Sequence, residues 1–344
     1  MIKSLKLTLI ATFLVMAGVL LTWFKLTQPR ILVLHSYETD YAWTRDIDAG
    51  IRRVIGSNLR YKIDWHYMDT KRHADGDFKR KAGALARRAI ESINPDVIIA
   101  VDDDAQKYAV KEYVNHPKIK IVFAGINGSV EPYGYHKATN VTGIYERKPI
   151  LDLSRALSEM RDKDGAKFGV RIAHIGDRSD SVRMDTREIE SFDWAPFKLT
   201  GSALVDNFDE WKKAVNDAGA KADFILLSNY QAVHRPGRDQ GLVPAKEVMA
   251  WTERNSKIPV VGLGGFMVEE GGMFAVGASG FEQGEAVARM TMTILDKGEI
   301  PRNIPEVMPR QFLVYMRQSL LGKRDITLPP LYEAFSRASN NYHE

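Results

Sequence analysis

The stretch that decides the fold is ILVLHSYETDYAWTRDIDAGI, residues 31–51. It begins with an apolar block, passes through a polar and aromatic turn, and continues with apolar residues at helical spacing. A short apolar run followed by such a pattern predicts a buried strand and then an amphipathic helix. Ser36, Tyr37, Tyr41 and Trp43 therefore follow the carboxyl end of a strand.

The same strand and helix alternation recurs along the chain, which is typical of βαβ units and a parallel sheet. One series runs to about Asn140, and a second begins after NVTGIYERKP, residues 140–149. The predicted strands are ILVLHS, YKIDWHYM, DVIIAV and IKIVFAG in the first series and FGVRIAHIG, GSALVD, ADFILLS and IPVVGLG in the second. Beyond a further run, MFAVGASG, and a long helix, Pro301, Pro305 and Pro309 predict an extended connector that recrosses between two lobes.

The N-terminus carries an apolar run from Leu7 to Phe24, 18 residues without a charge. That length is close to what a membrane-spanning helix needs. The run ends in Trp23, Phe24 and Lys25 and not in the small residues of a cleavage site, so we expect an uncleaved anchor, with a removed signal as the alternative. In both cases the remaining chain is expected on the periplasmic side of the inner membrane, anchored there or released after cleavage.

Charge and composition exclude several classes of protein. The net charge is +4, but Lys3, Lys6, Lys25 and Arg30 precede the soluble part with no acid among them, so that part is neutral. A neutral surface lacks the charge expected of a nucleic-acid binder. The chain has no cysteine, which removes disulfides and thiolate chemistry, and no metal-site motif is present. We expect no cofactor and no metal.

Segments at both ends of the chain resemble a known family. ILVLHSYETDYAW (residues 31–43), KIPVVGLGGFMVEEGGMFAVGASGFEQGEAVARMTMTILDKGEIP (257–301) and PRQFLVYMRQS (309–319) are similar to the substrate-binding proteins of ABC transporters. The branch that includes aromatic amino acid binders, with the type I periplasmic-binding-protein fold, is the most similar. The resemblance implies an α/β fold with two doubly wound parallel-sheet lobes joined by a hinge, here preceded by one N-terminal transmembrane helix.

Carried onto this chain, the resemblance implies a division into three parts. Residues 1–29 form the anchor or uncleaved signal, residues 30–143 plus about 277–305 form lobe 1, and residues 144–276 plus about 306–344 form lobe 2. The crossings fall at 140–145, 276–279 and 301–309. The implied function is to bind a small polar or aromatic molecule between the lobes and present it to an ABC permease, with no catalysis.

In an open α/β sheet, ligands bind beyond the carboxyl ends of the strands. The quoted turn therefore predicts one wall of a ligand cleft, because aromatic faces beside a hydroxyl suit a selective pocket. The same reasoning applied to the other strand ends completes the set of candidate ligand-binding residues: Ser36, Tyr37, Tyr41, Trp43, Asp102, Asp103, Asp104, Asn127, Asp177, Arg178, Ser179, Asn229, Tyr230, Gly265 and Phe266.

Structural roles explain many of these residues equally well. Tyr41 and Trp43 can fix the entry to the helix. The aspartates at 102–104, and Asp177 with Ser179, can cap free helix N–H groups. A carboxylate that instead faces the cleft would suit an ammonium group or sugar hydroxyls.

Two other functions stay open. The first is a ligand-sensing subunit that signals to a membrane partner such as a sensor kinase. The second is a magnesium-dependent phosphatase, because VIIAVDDDAQ, FILLSN and IAHIGDRSD resemble motifs of the haloacid-dehalogenase-like enzymes. The order of these motifs departs from that family, since Asp177 precedes Ser228, and a nucleophile needs its partners in one site.

Overall fold

The computed structural model describes residues 2–56, 58–73, 75–237 and 241–344. A helix of 26 residues precedes the first strand. The helices, in chain order, are α1 (Ile2–Thr27), α2 (Ala42–Ile55), α3 (Gly76–Ile93), α4 (Asp102–Tyr108), α5 (Ile150–Glu159), α6 (Asp180–Ser191), α7 (Phe208–Lys221), α8 (Ala245–Asn255), α9 (Phe266–Glu269), α10 (Gly280–Lys297), α11 (Gln318–Lys323) and α12 (Pro330–Ala338).

The strands form two separate sheets, which define the two lobes. The strands are β1 (Arg30–His35), β2 (Lys62–Tyr67), β3 (Val97–Val101), β4 (Lys120–Ile126), β5 (Val141–Tyr145), β6 (Arg171–Asp177), β7 (Lys198–Val205), β8 (Phe224–Leu227), β9 (Val260–Gly262), β10 (Phe274–Ala278), β11 (Phe312–Arg317) and β12 (Tyr342–His343). The first lobe has the order β2-β1-β3-β4-β5, and the second has the order β12-β11-β10-β9-β8-β6-β7.

All strand pairs of the first sheet are parallel. In the second sheet β11 runs antiparallel to β10, while the other pairs are parallel. The predicted α/β fold with two doubly wound lobes is therefore confirmed, with one antiparallel strand added. That strand, Phe312–Arg317, lies where the sequence predicts only an extended connector, because the prolines before it mask a short apolar run.

Alternating side chains explain why β1 is buried on both faces. Ile31 and Val33 pack with α2 and α10, whereas Leu32 and Leu34 pack toward α3 and α4. Successive strand residues point to opposite faces of a sheet, so a strand with helices on both sides must be apolar throughout. Burial of β1 on both faces therefore explains the unbroken apolar block at the start of the quoted stretch.

Helix α10 lies between β10 and β11 of the second lobe in the chain but packs on the first lobe. It lies against α2 at very short range, because a Cβ atom on Gly284 would lie 2.1 Å from the backbone oxygen of Ile47. The buried Gln283 side chain donates to the Tyr145 carbonyl at 2.8 Å and accepts from the Gly125 N–H at 3.1 Å. Glycine and glutamine thus fix α10 to the first sheet.

The chain passes between the lobes near three places. It leaves β5 for α5, it leaves β10 for α10, and it returns from α10 to β11. The last passage is held to the first lobe at Val307, which exchanges backbone hydrogen bonds with Gly143 and Tyr145, each of 3.0 Å. The division of the chain near residues 143, 277 and 305 stays a prediction.

The N-terminal helix has the composition of a membrane span. The candidate span is Leu9–Thr27, with a mean hydropathy of 2.0, and none of it is buried against the rest of the protein. Its length and composition suit a membrane anchor or a signal sequence alike.

The contact between α2 and α10 gives a test of the fold. Ala in place of Gly284 should lower the free energy of unfolding by ~1–3 kcal/mol, because the added methyl group overpacks a backbone contact. Gly322→Ala is the matched control, since nothing lies within 4 Å of a Cβ there, and Ala should stabilise that helix by about 0.5–1 kcal/mol. Urea unfolding measures both. Equal effects at the two positions would contradict close packing of Gly284 against the α2 backbone.

Candidate functional site

A cavity lies between the two lobes, at the carboxyl ends of their strands. Its aromatic lining comes from the first lobe and the second lobe together: Tyr37, Tyr41, Trp43, Phe266 and Tyr315. Its charged and amide lining consists of Asp46, Lys71, Asp102, Asn127, Glu146, Lys148, Asp185, Asn229 and Glu269. The volume open to water is about 70 Å³, so the lobes are close together and the cavity is small beside ordinary ligand pockets of ~300–1,000 Å³.

The structure brings together eight of the candidate residues from both lobes. Those that line the cavity are Tyr37, Tyr41, Trp43, Asp102, Asn127, Asn229, Gly265 and Phe266. Parallel strands end at one edge of their sheet, and the two edges face one another. This is why residues far apart in sequence meet here.

Three candidates of the first lobe lie outside the cavity and hold the fold. Ser36 is fully buried; its hydroxyl donates to the Val101 carbonyl at 2.7 Å and accepts from the Ala105 N–H at 2.8 Å. Asp103 accepts hydrogen bonds from Asn127 Nδ2 at 2.9 Å and the Tyr133 hydroxyl at 2.7 Å. Asp104 forms an ion pair of 3.0 Å with Lys79.

Four candidates of the second lobe also lie outside the cavity. Asp177 accepts from the backbone N–H groups of Ser179 and Ala232 at 3.0 Å each, and the Ser179 hydroxyl donates to the same carboxylate at 2.5 Å. Arg178 pairs with Asp206 at the surface. The buried Tyr230 donates its hydroxyl to Glu270 at 2.5 Å.

The wall from the first lobe is an aromatic surface around one carboxylate. The Tyr37 and Tyr41 rings meet edge to face with centroids 5.4 Å apart, a favoured arrangement for aromatic pairs. The indole N–H of Trp43 donates to Asp102 Oδ1 at 3.0 Å. The Lys71 ammonium lies 5.1 Å from the Tyr37 ring centre, within the range of a cation–π contact.

Asp102 is held in an uncommon backbone conformation. Its φ is +64°, a left-handed value that few residues other than glycine, asparagine and aspartate adopt. Gly125 is adjacent, and a Cβ there would lie 2.5 Å from Asp102 Oδ1, so only glycine admits the carboxylate. Burial raises the pKa of Asp102 well above its usual range, and the charge of Glu146 raises it further.

The wall from the second lobe combines an amide with closely packed glycine. Asn229 Oδ1 accepts from the backbone N–H groups of Tyr230 and Gln231 at 2.7 and 2.9 Å, and its side chain interacts with Tyr41 across the cleft. A Cβ on Gly265 would lie 2.2 Å from the Tyr315 ring. The backbone at Gly265 is therefore fixed against that ring.

Buried charges join the lobes at the cleft, and the sequence does not predict them. Lys148 pairs with Glu146 and lies 3.7 Å from Asp185 on α6. Burial alone would lower the pKa of Lys148, but Asp185 and Glu146 raise it. Burial raises the pKa of Asp185 to about 7. One ammonium is thus shared by two carboxylates.

Weaker contacts also cross the cleft. Lys71 Nζ lies 3.5 Å from the Ser181 hydroxyl, and the exposed Arg45 lies 3.9 Å from Glu269. The available sequence signal is only that Glu146 follows β5 directly and that Lys148 and Lys71 come a few residues after β5 and β2. That signal is too weak to separate them from the many other charged residues of the chain.

Two residues of the alternative phosphatase motifs have structural roles in this fold. Asp177 and Ser228 are used in structural hydrogen bonds, Ser228 to the buried His174 at 2.9 Å. Across the described ranges, no cluster of three or more His, Asp or Glu side chains has the geometry of a metal site.

Comparison with known proteins supports the resemblance predicted from the end segments. The sequence model of the family described as ABC transporter substrate binding protein matches residues 211–336. This range contains two of the three segments on which the prediction rests. The predicted resemblance to this family is confirmed. A comparison with curated protein sequences gives no match.

Solved structures share the fold over nearly the whole chain. A conserved domain protein from Vibrio cholerae has 17% identity and a TM-score of 0.65, with 90% of this chain and 98% of that chain covered. The ABC domain from Streptococcus pneumonia in complex with L-Trp has 16% identity, a TM-score of 0.63 and coverages of 89% and 98%. A solute binding protein from Clostridium phytofermentas with bound L-rhamnose has 10% identity, a TM-score of 0.53 and coverages of 91% and 99%.

Asp185 predicts a pH dependence of stability. Its pKa rises from 3.8 to about 7 on folding, so between these values the folded protein holds a proton that the unfolded chain releases. The wild-type protein should therefore lose stability relative to Asp185→Asn as the pH rises from about 4 to about 7, with no further change above that range.

Chemical unfolding at pH 4, 5.5, 7 and 8 measures this difference. Asp180→Asn on the same helix is the control, because Asp180 is 66% exposed in its side chain and should show no such trend. A difference between wild type and Asp185→Asn that stays constant with pH would contradict the role given to burial.

Proposed function

We propose that the protein is an extracytoplasmic solute-binding protein of an ABC-type uptake system, which closes two lobes over a small polar or aromatic molecule. The observation that carries the proposal is the cavity itself, since its walls come from both lobes and combine aromatic faces with charged and amide groups. That combination is typical of ligand sites. No bond of the solute is made or broken.

Closure explains how such a site binds selectively. Trp43 and Asp102 belong to one lobe, whereas Asn229 and Phe266 belong to the other. A solute contacts both walls only when the lobes are together, so binding shifts the population toward the closed form. The Lys148 ion pairs with Glu146 and Asp185 would favour the same form.

The likeness of fold supports the class of function and leaves the solute open. Two of the similar structures contain L-Trp and L-rhamnose, and the aromatic wall here would suit either an aromatic ring or the apolar face of a sugar. The N-terminal helix supports a location at the periplasmic face of the inner membrane. A permease is the proposed partner, and no nucleic acid is expected.

A thermal-shift screen of the full chain in detergent tests the proposal. Amino acids, nucleosides, sugars and small amines form the panel, and a bound solute should raise the melting temperature, because ligand at about 100 times its Kd adds ~2.7 kcal/mol to folding stability. Absence of any shift across the panel would contradict the proposed function.

Variants on the two walls test where the solute binds. Trp43→Ala and Phe266→Ala should each weaken binding by about tenfold or more, since each truncation removes an aromatic contact worth ~1.5–3 kcal/mol. Arg178→Ala is the control, because Arg178 lies outside the cavity and pairs with Asp206. Isothermal titration measures the affinities. If binding is lost in Arg178→Ala and kept in the two wall variants, the solute binds at a different site.

Deletion of the gene separates transport from sensing. A transport component should be required for uptake of the solute found in the screen. A sensing subunit should leave uptake intact and abolish a transcriptional response to the solute, and that outcome would replace the permease with a signalling partner.

A further inference from the structure

One carboxylate oxygen in the cavity has no partner. Asp102 is 1% exposed and lines the cavity. Its Oδ1 accepts the Trp43 indole N–H, but its buried Oδ2 accepts no hydrogen bond from the residues that the structure describes. Buried polar atoms are nearly always satisfied in native proteins, so an unpartnered oxygen in a ligand cavity points to a donor on the ligand.

The surroundings of Asp102 are acidic. The negative charges of Glu146 and Asp103 raise the pKa of Asp102, after the larger effect of burial, whereas the positive charge of Lys71 lowers it. Neither lysine that lines the cavity comes within 4.0 Å of Asp102 to form an ion pair in the described parts of the chain. Lys148 is instead shared by Glu146 and Asp185, and Lys71 lies over the rings of Tyr37 and Tyr41.

Acidic groups outnumber basic groups in the whole lining. Five carboxyl groups line the cavity, from Asp46, Asp102, Glu146, Asp185 and Glu269, against the ammonium groups of two lysines. Burial raises the pKa of Asp102 and of Asp185, so beside a neutral or anionic solute these groups would tend to take up protons. A cationic solute would instead favour their ionised forms, in a low-dielectric site where charge pairing is strong.

Aromatic side chains lie beside the carboxylate. The indole N–H of Trp43 contacts Asp102 directly, and Tyr37 and Tyr41 line the same cavity. The faces of these two tyrosines already meet the Lys71 ammonium, so Asp102 is the group that remains for a second cation. The rings supply a low-dielectric environment in which an ion pair is strong.

We propose that the solute carries a protonated amine nitrogen, which binds the Asp102 carboxylate in the part of the cavity that Tyr37, Tyr41 and Trp43 also line. This inference rests on the proposed function and narrows the solute to an organic ammonium ion. The remainder of the solute then lies toward Asn229 and Phe266 of the second lobe.

Matched probes test the charge of the solute. Isothermal titration of the full chain in detergent uses tryptamine, tryptophol and indole-3-propionate, which share a ring and a chain and differ in the terminal group. Butylamine, butanol and butyrate form a second set for a smaller occupant. The amine of at least one set should bind about tenfold more tightly than its alcohol, and the acid should bind more weakly than both.

Two variants assign the contact. Asp102→Asn should weaken the amine by about tenfold or more and leave the alcohol within about twofold, and asparagine tolerates the backbone conformation at this position. Lys71→Met should leave the amine unchanged or tighten it, because a like charge is removed from the cavity. Asp180→Asn is the surface control, and melting curves without probe verify that each variant is folded.

The outcomes separate the two proposals. If the acid or the alcohol binds best, or if Asp102→Asn leaves the amine unaffected, the inference is wrong while solute binding stands. If the solute found in the broad screen lacks a basic nitrogen, the inference is also wrong. If neither the matched probes nor the broad screen shows binding, the solute-binding function itself is wrong.

Discussion

The packing of α10 against the first lobe is the constraint on which the relative placement of the two lobes depends. This helix comes after β6 to β10 of the second lobe and before β11 and β12, yet its Gly284 meets the backbone of Ile47 with no room for a side chain, and Gln283 bonds to β4 and β5. The chain must therefore cross between the lobes, return, and cross again. In the proposed closing motion, several crossings side by side would restrict the lobes to bending about one region.

Ionisable groups at the cleft lie away from water. Lys148 comes soon after β5, in a crossing segment, and meets Asp185 on α6 of the second lobe. Burial of the pair costs hydration, which the shared ammonium only partly offsets, and the raised pKa of Asp185 records that cost. If the lobes close over a solute as proposed, charge at this point would adjust the balance between open and closed forms independently of contacts to the solute.

Much of the fold and part of the cavity lining could be predicted from the sequence, because strand periodicity and the position of strand ends are local properties. Tyr41 and Trp43 line the cavity since they follow β1 at its carboxyl end. Ser36 follows the same strand, but its hydroxyl joins β1 to β3 and α4, a use that only the packed backbone reveals. Asp185 could not be found because its place at the cleft depends on how the two lobes pack together, and β11 was missed because it follows three prolines that indicate an extended connector.

The two walls of the cavity carry different kinds of side chain, and this difference suggests that the two lobes would contribute differently to recognition of a solute. The first lobe presents rings and the Asp102 carboxylate on a conformation held by Gly125, so it can bind a charged group before closure. The second lobe presents Asn229, whose oxygen is already used by its own backbone, and glycine fixed against an aromatic ring. Such a surface adds shape and a few donors, and its acidic groups in the cavity are Asp185 and Glu269. Affinity would then begin at the first lobe, and selection among similar solutes would be completed when the second lobe closes.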